Sequence, residues 1–336
     1  MKLGLNLGYA PPGTNPADLF PLVQEAERLG FDTVWVAEAW GTDAVSVLGW
    51  LAARTERIGL GSAIMQIPGR TPANAAMTAA TLDLLSDGRL RLGLGTSGPQ
   101  VVEGWHGQAW GKPLGKTREY VEIIRAALRR EVVEHEGEHY RIPWDGSGAT
   151  GLGKPLKLML RPLRAEIPIY LAALGPKNVA LAAEIADGWL PVFVDPDHFD
   201  DAFGQSLSAA PPGFEIAATV SVLVGDDVPA LRDALRPHVA LYVGGMGARG
   251  RNFYNALVRR YGWEEEAERI QELYLAGKQR EAIAAVPDAL VDAVSLFGPK
   301  ERIADRLEAW SETRVTELVL GTPQPEALQV LAELVL

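Results

Sequence analysis

Short runs of consecutive apolar residues alternate along the chain with longer segments whose apolar positions recur every three or four residues. The first spacing suits strands buried on both faces, the second helices buried on one. Residues 3–8 form the first apolar run. The helix after it carries Leu19, Leu22, Val23, Ala26 and Leu29 on one face and stops at Gly30. It begins near Asn15-Pro16 or Asp18. Pro21 lacks an N–H and suits only a first helical turn, which favours the later start. Strand 33–37 and helix 43–54, strand 57–64 and helix 72–85, and strand 89–95 and helix 116–130 continue the alternation. Residues near 131–166 are rich in Gly and Pro and irregular. Strand 167–172, helix 176–186, strands 188–194 and 214–224, a mostly helical polar stretch over 228–309, strand 315–320 and helix 326–336 complete the chain.

Eight apolar strands joined by helical crossovers imply a parallel sheet, and eight such units in one chain favour closure into a (β/α)8 TIM barrel over an open doubly wound sheet. The barrel carries insertions after strand four, before strand five and in the helical 225–310 region, and residues 1–336 read as one domain. No G-x-G-x-x-G follows the first strand, so a Rossmann site there is not expected. Neither G-x-S-x-G nor a P-loop occurs.

Composition narrows the class. Of 336 residues 47% are apolar and 22% charged, enough for a large core. There is no cysteine, which removes disulfides, thiolate metal sites and cysteine nucleophiles. The N-terminal residues lack the apolar core of a signal peptide, and no run is long enough to span a membrane, so a cytoplasmic protein is expected. A net charge of −11 argues against nucleic-acid partners. Two stretches run against that balance: Lys154, Lys157, Arg161 and Arg164, and Arg236, Arg249, Arg251, Arg259 and Arg260. They mark either an anionic ligand site or solvated faces paired with acids elsewhere.

Barrel active sites lie at the C-terminal ends of the strands. After strand two stands Glu38, either a functional carboxylate or an ion pair closing the rim. Asp43 sits where a helix N-cap is wanted. After strand four, Thr96-Ser97-Gly98 opens a loop dense in special residues. Its glycines permit close backbone approach, while Glu103 and His106 are candidate proton donors and Trp105 a candidate wall; alternatively Trp105 and His106 pin the loop to the barrel. After strand five, Leu174-Gly175-Pro176-Lys177-Asn178 places a tight glycine before a helix with proline at its first position. The unpaired N–H groups and positive dipole end of such a helix suit a phosphate, although an ordinary βα turn has the same pattern. The five histidines are scattered, and His135 and His139 read as surface residues. No metal site is expected.

The segments Glu-Ala-Glu-Arg-Leu-Gly-Phe-Asp (25–32), Arg-Thr-Pro-Ala (70–73), Leu-Ser-Asp-Gly-Arg (85–89), Ser-Gly-Pro-Gln-Val-Val-Glu-Gly-Trp-His-Gly (97–107) and Ala-Asp-Gly-Trp (186–189) carry a resemblance. The chain resembles the bacterial-luciferase-like oxidoreductases, most closely the actinobacterial branch that uses the deazaflavin coenzyme F420. The resemblance implies hydride transfer between F420 and a small organic substrate. An FMN-dependent monooxygenase and a non-catalytic deazaflavin-binding protein are the alternatives. It also implies a non-proline cis peptide at Ala63-Ile64 behind the cofactor ring, a cofactor phosphate over Gly175–Asn178, ring contact by Glu38, and a homodimer. Both basic stretches, Lys154–Arg164 and Arg236–Arg260, are candidates for holding the coenzyme's acidic tail, Arg249 and Arg251 among them. Many relatives carry a histidine directly after the strand-two acid; here that position is Ala39, so either the proton comes from elsewhere, with His106 and Glu103 as candidates, or the reaction needs no such donor.

Overall fold

The computed structural model describes residues 1–9 and 13–336. Eight strands form the barrel: β1 (Lys2–Asn6), β2 (Thr33–Val36), β3 (Gly59–Ser62), β4 (Leu90–Gly95), β5 (Ile169–Leu171), β6 (Gly188–Trp189), β7 (Glu215–Val224) and β8 (Glu317–Gly321). Each pairs in parallel with the next, and β8 returns to β1 through Lys2↔Glu317 and Leu5↔Leu320. The sheet is therefore closed, a (β/α)8 TIM barrel.

Two apolar layers explain the closure. Alternate residues such as Leu3, Leu5, Val34, Val36, Leu92 and Leu94 face the surrounding helices. The inward positions hold Trp35, Tyr170, Leu190, Ala217 and Val319, with Ala63, Ile64 and Ala172 packed on them. Trp35 and Tyr170 meet edge to face at 5.1 Å. Rings this large fit inside eight strands because glycine stands opposite them. A Cβ on Gly61 would lie 2.2 Å from the Trp35 ring, and one on Gly188 2.4 Å from that of Tyr170.

Helix α1 (Phe20–Leu29) follows a 3-10 turn at Pro16–Leu19, so Pro21 does fall in its first turn, and Gly30 closes it in the left-handed region at φ 90°. Helix α2 (Ala44–Ala52) is capped by Asp43, whose side chain accepts from the Ser46 amide at 2.7 Å. Helix α3 (Pro72–Leu85) has the expected bounds, with Thr71 as its cap.

Three features depart from the sequence reading. The loop after β4 contains a short helix, Pro99–Gly104, before α4 (Pro113–Leu128). Ser295–Gly298, expected within helical sequence, is a fully buried strand beside the far end of β7. Strand β6 is only two residues long, because the chain bends away after Trp189 and regains only a bridge from Val192 to Thr219.

The sequence also placed His135 and His139 on the surface. They are half buried: Glu119 accepts from the His139 amide and pairs with His135 at 3.2 Å. Their short hairpin, paired at residues 135–136 and 141–142, folds back over α4, which covers both rings.

Candidate active site

At the C-terminal end of the barrel, β3 ends in a cis peptide between Ala63 and Ile64, at the position expected. Ile64 leans over β4 and β5, because Gly95 and Ala172 leave it room. The chain resumes pairing at Met65–Gln66 and turns at Arg70 into α3.

The bulge gathers several residues around Glu38. This carboxylate, 9% exposed, accepts two bonds from Arg70, at 2.7 and 2.9 Å, and one each from the amides of Gln66 and Ala44. Arg70 also pairs with Asp43 at 2.6 Å. Of the two roles open to Glu38, the rim-closing ion pair is the one seen; four donors occupy its lone pairs, so a proton-transfer role has no free acceptor in this geometry. Gln66 donates to the Ala39 carbonyl at 2.7 Å, which turns its carbonyl oxygen toward His106 Nε2 at 2.8 Å. His106 therefore donates from Nε2, and the loop after β4 is tied to the bulge. Glu103 is exposed on the short helix without a partner among the described residues. Thr96 is half buried; Ser97 follows at φ 57°, and Gly98 caps the short helix. Trp105 and Trp40 are 65% and 56% exposed at this rim. Arg70 and Gln66 organise the site, yet only the Arg70 motif was visible in sequence.

The turn after β5 is built as expected. Gly175 caps α5 (Pro176–Ile185), with Pro176 in the first turn and no side chain over the helix end. Trp189 Nε1 donates to the Ala173 carbonyl at 2.9 Å and fixes the turn. A Cβ on Gly175 would meet nothing within 4 Å, so the backbone there faces open space. The Asn178 amide already bonds the Gly175 carbonyl at 2.9 Å. Gly175 and Lys177 therefore supply the free N–H groups, and Asn178 can contribute only its side chain.

Arg260, the last member of the second basic stretch, comes to the same place. It reaches the same turn, donating to the Leu174 carbonyl at 2.7 Å, while its buried Nε has no partner among the described residues. Burial lowers its pKa, as expected of a cation awaiting a counter-charge.

The other basic positions scatter. Arg249 and Arg251 are exposed on the loop before the helix Phe253–Arg260, and Arg249 lies 3.7 Å from Glu272. Arg236 is consumed by Asp233 and Asp288. Arg164, proposed from sequence for an anionic tail, pairs with Asp83 and lines a cavity of about 580 Å³ together with Asp32, Arg89 and Arg91. Those residues stand at the strands' N-terminal ends, the opposite end from the mouth. Arg164 is therefore at the far end of the barrel from the mouth. That cavity holds charged groups largely paired with one another, a structural role for this face of a barrel.

A family model for luciferase-like monooxygenases matches residues 2–317. The chain belongs to this family. It is 46% identical to a Mycobacterium tuberculosis protein named as a coenzyme F420-dependent oxidoreductase, over 100% of this chain and 99% of the relative. It is 30% identical to the 5,10-methylenetetrahydromethanopterin reductase of Archaeoglobus fulgidus, covering 96% and 94% of the two chains. Among solved structures, the coenzyme F420-dependent tetrahydromethanopterin reductase from Methanopyrus kandleri superposes with a TM-score of 0.78 at 24% identity, over 99% of this chain and 97% of that one. The fold and the oxidoreductase family are thus those read from the sequence.

Proposed function

We propose that this protein binds coenzyme F420 and transfers a hydride between it and a small organic substrate. The observation that carries the reading is the open helix start at Gly175 and Lys177, which Arg260 reaches through the Leu174 carbonyl, one strand away from the Ala63-Ile64 bulge. Such a spot suits a phosphate and the bulge suits the back of a flat ring. Among relatives, the name of the 46%-identical protein selects the deazaflavin over FMN.

In this reading, Gly175, Lys177 and Arg260 hold the phosphate, Ala63 and Ile64 back the ring, and Thr96 and Gly98 border it. Arg249 and Arg251 reach for the acidic tail. Glu38 acts as a positioning residue, holding Arg70 and the bulge in place. When bound, the deazaflavin would supply two-electron hydride chemistry. The protein's part is placement, exclusion of water and proton handling.

Fluorescence titration of the apoprotein with F420 and, separately, FMN tests this. F420 should saturate and FMN should not; tight FMN binding with oxygen consumption would overturn the choice. Arg260→Met should weaken F420 binding about tenfold, a loss of about 1.4 kcal/mol. Unchanged affinity would remove Arg260 from the site. Paired Arg249→Glu and Arg251→Glu changes should weaken binding of the tailed coenzyme.

We also infer a homodimer. Met77, Leu84 and Leu85 on α3 and Trp144, Leu152, Leu156, Met159 and Leu163 in the segment before β5 are all large, apolar and exposed. Leu163 sits beside Gly88, at the end of α3, so the two groups adjoin. An exposed apolar surface of this kind marks an interface.

A further inference from the structure

The proton that accompanies a hydride needs a side chain, and two of the three groups nominated by sequence, Glu38 and His106, are committed. Glu38 has four donors on it, His106 Nε2 is bonded to Gln66, and Glu103 points from an exposed helix. One histidine at the mouth is free. His238 lies on the helix Val228–Ala240, and neither ring nitrogen has a hydrogen-bond partner among the described residues. Its ring stacks on Phe193, centroids 5.3 Å apart and planes 19° apart. Phe193 follows β6 and is held in the left-handed region at φ 55°, unusual for a bulky side chain. Its carbonyl accepts from the Tyr261 hydroxyl at 3.1 Å, which fixes the bend.

Around this pair stand Tyr242, 4.7 Å from the His238 ring, and Tyr254, 4.7 Å from Tyr242 and edge on to it. Tyr9, after β1, is hydrogen-bonded to Tyr242 and half exposed. Five rings from the ends of β1 and β6 and from two helices thus line one side of the mouth. His238 is solvent-accessible, yet enclosing protein desolvates it, the combination shown by a group lining a cleft.

We propose that His238 is the side chain that exchanges a proton with the substrate's heteroatom, and that the ring basin around it receives a planar, largely apolar substrate body. The proposal rests on the F420 reading for its redox partner. In the oxidising direction, the heteroatom–H bond breaks and its proton passes to the free imidazole nitrogen. The electron pair of the neighbouring C–H bond leaves with its hydrogen, as hydride, to the oxidised deazaflavin, and a carbon–heteroatom double bond forms. Reduction reverses each transfer.

Burial lowers the His238 pKa from its usual 6.5, so the ring is neutral at pH 7 and able to accept a proton. The titratable groups facing it are the phenols of Tyr9, Tyr242 and Tyr254. Burial raises all three, so they stay neutral through this range. No charged group contributes to the His238 shift.

The first test needs no cofactor. In apoprotein labelled at histidine Cε1, the His238 resonance, assigned by its contacts to the Phe193 ring and its loss in His238→Gln, should titrate below pH 6.5. Acetophenone should shift it saturably and leave His135 and His139 unmoved. No acetophenone shift overturns the basin. With F420, oxidation of 1-phenylethanol should lose kcat/KM as pH falls through the His238 titration. His238→Gln should abolish that limb and slow turnover about 100-fold. A limb retained in His238→Gln, or no turnover of 1-phenylethanol by wild type that binds F420, overturns the proposal. F420 binding measured in parallel separates the two readings. Binding with no shift removes only this inference; a shift with no F420 binding removes only the cofactor assignment.

Discussion

Single residues in this barrel are set by what they touch across it. Glu317 begins β8 but points inward, 2% exposed, accepting from Trp35 Nε1 at 3.1 Å and pairing with Arg91 at 3.2 Å. Burial outweighs the attraction of Arg91 and pushes its pKa up to about 7 from 4.5; Asp32 and Glu215 nearby add to the rise. The folded pKa lies above the unfolded one, so the native state holds this proton more tightly. Its stabilising contribution is present below pH 4.5 and is lost as pH rises toward about 7. The change is on the order of 3 kcal/mol. Glu317→Gln keeps a neutral, similarly shaped group, so its melting temperature should decline less than that of the wild type between pH 5 and pH 8. Parallel declines measured by calorimetry would show that Glu317 is ionised throughout.

Elements approach each other most closely at one decisive point. Ser62, the last residue of β3, exchanges hydrogen bonds with Gly93 in β4: its hydroxyl donates to the Gly93 carbonyl at 2.8 Å and accepts from the Gly93 amide at 3.0 Å. A Cβ on Gly93 would lie 1.8 Å from the Ser62 carbonyl oxygen, which belongs to backbone and cannot swing away. Gly93→Ala should therefore push β3 from β4 one residue before the Ala63-Ile64 peptide. The expected cost is about 1–3 kcal/mol in chemical denaturation, with weaker F420 binding in the protein that still folds. Neutral behaviour in both assays would mean that the two strands can part without disturbing the bulge. Helix boundaries behave more simply. Thr71 and Pro72 begin α3, and Gly30 ends α1, for local reasons that need no partner element.

The whole molecule has two unlike ends. At the strand starts, Arg91 bridges Asp32 and Glu317 while Lys2 holds Glu215, a charged plug whose members satisfy each other. At the strand ends, Arg260 Nε and the His238 ring nitrogens lack hydrogen-bond partners among the described residues. Open groups at the strand ends of a barrel are where a ligand belongs. The molecule's flank carries the apolar surface of α3 and the segment before β5, where Met159 is 95% exposed. Leu85→Glu with Met159→Glu should convert a dimer to monomer in light scattering without loss of helical circular dichroism. An unchanged mass would place the interface elsewhere. No helix among the described residues is long and apolar enough to cross a membrane.

By itself the sequence determined whatever depends on neighbours along the chain. Apolar runs and helical spacing specified eight strands and most helices. Proline and glycine marked α1, α3 and α5, and the Gly175-Pro176 turn was legible because a helix start is a local event. The motifs carried the family. Tertiary structure decided the rest, since side-chain partners come from distant segments. Ser295–Gly298 is a strand only because the far end of β7 offers it hydrogen bonds. Arg164 and Arg260 each lie in a basic stretch, yet chain routing sends one to each end of the barrel. Glu38 reads as either a functional acid or an ion pair until Arg70, 32 positions away, closes on it. His238, one of five scattered histidines, becomes a mouth residue only when the helix after β7 folds it onto Phe193.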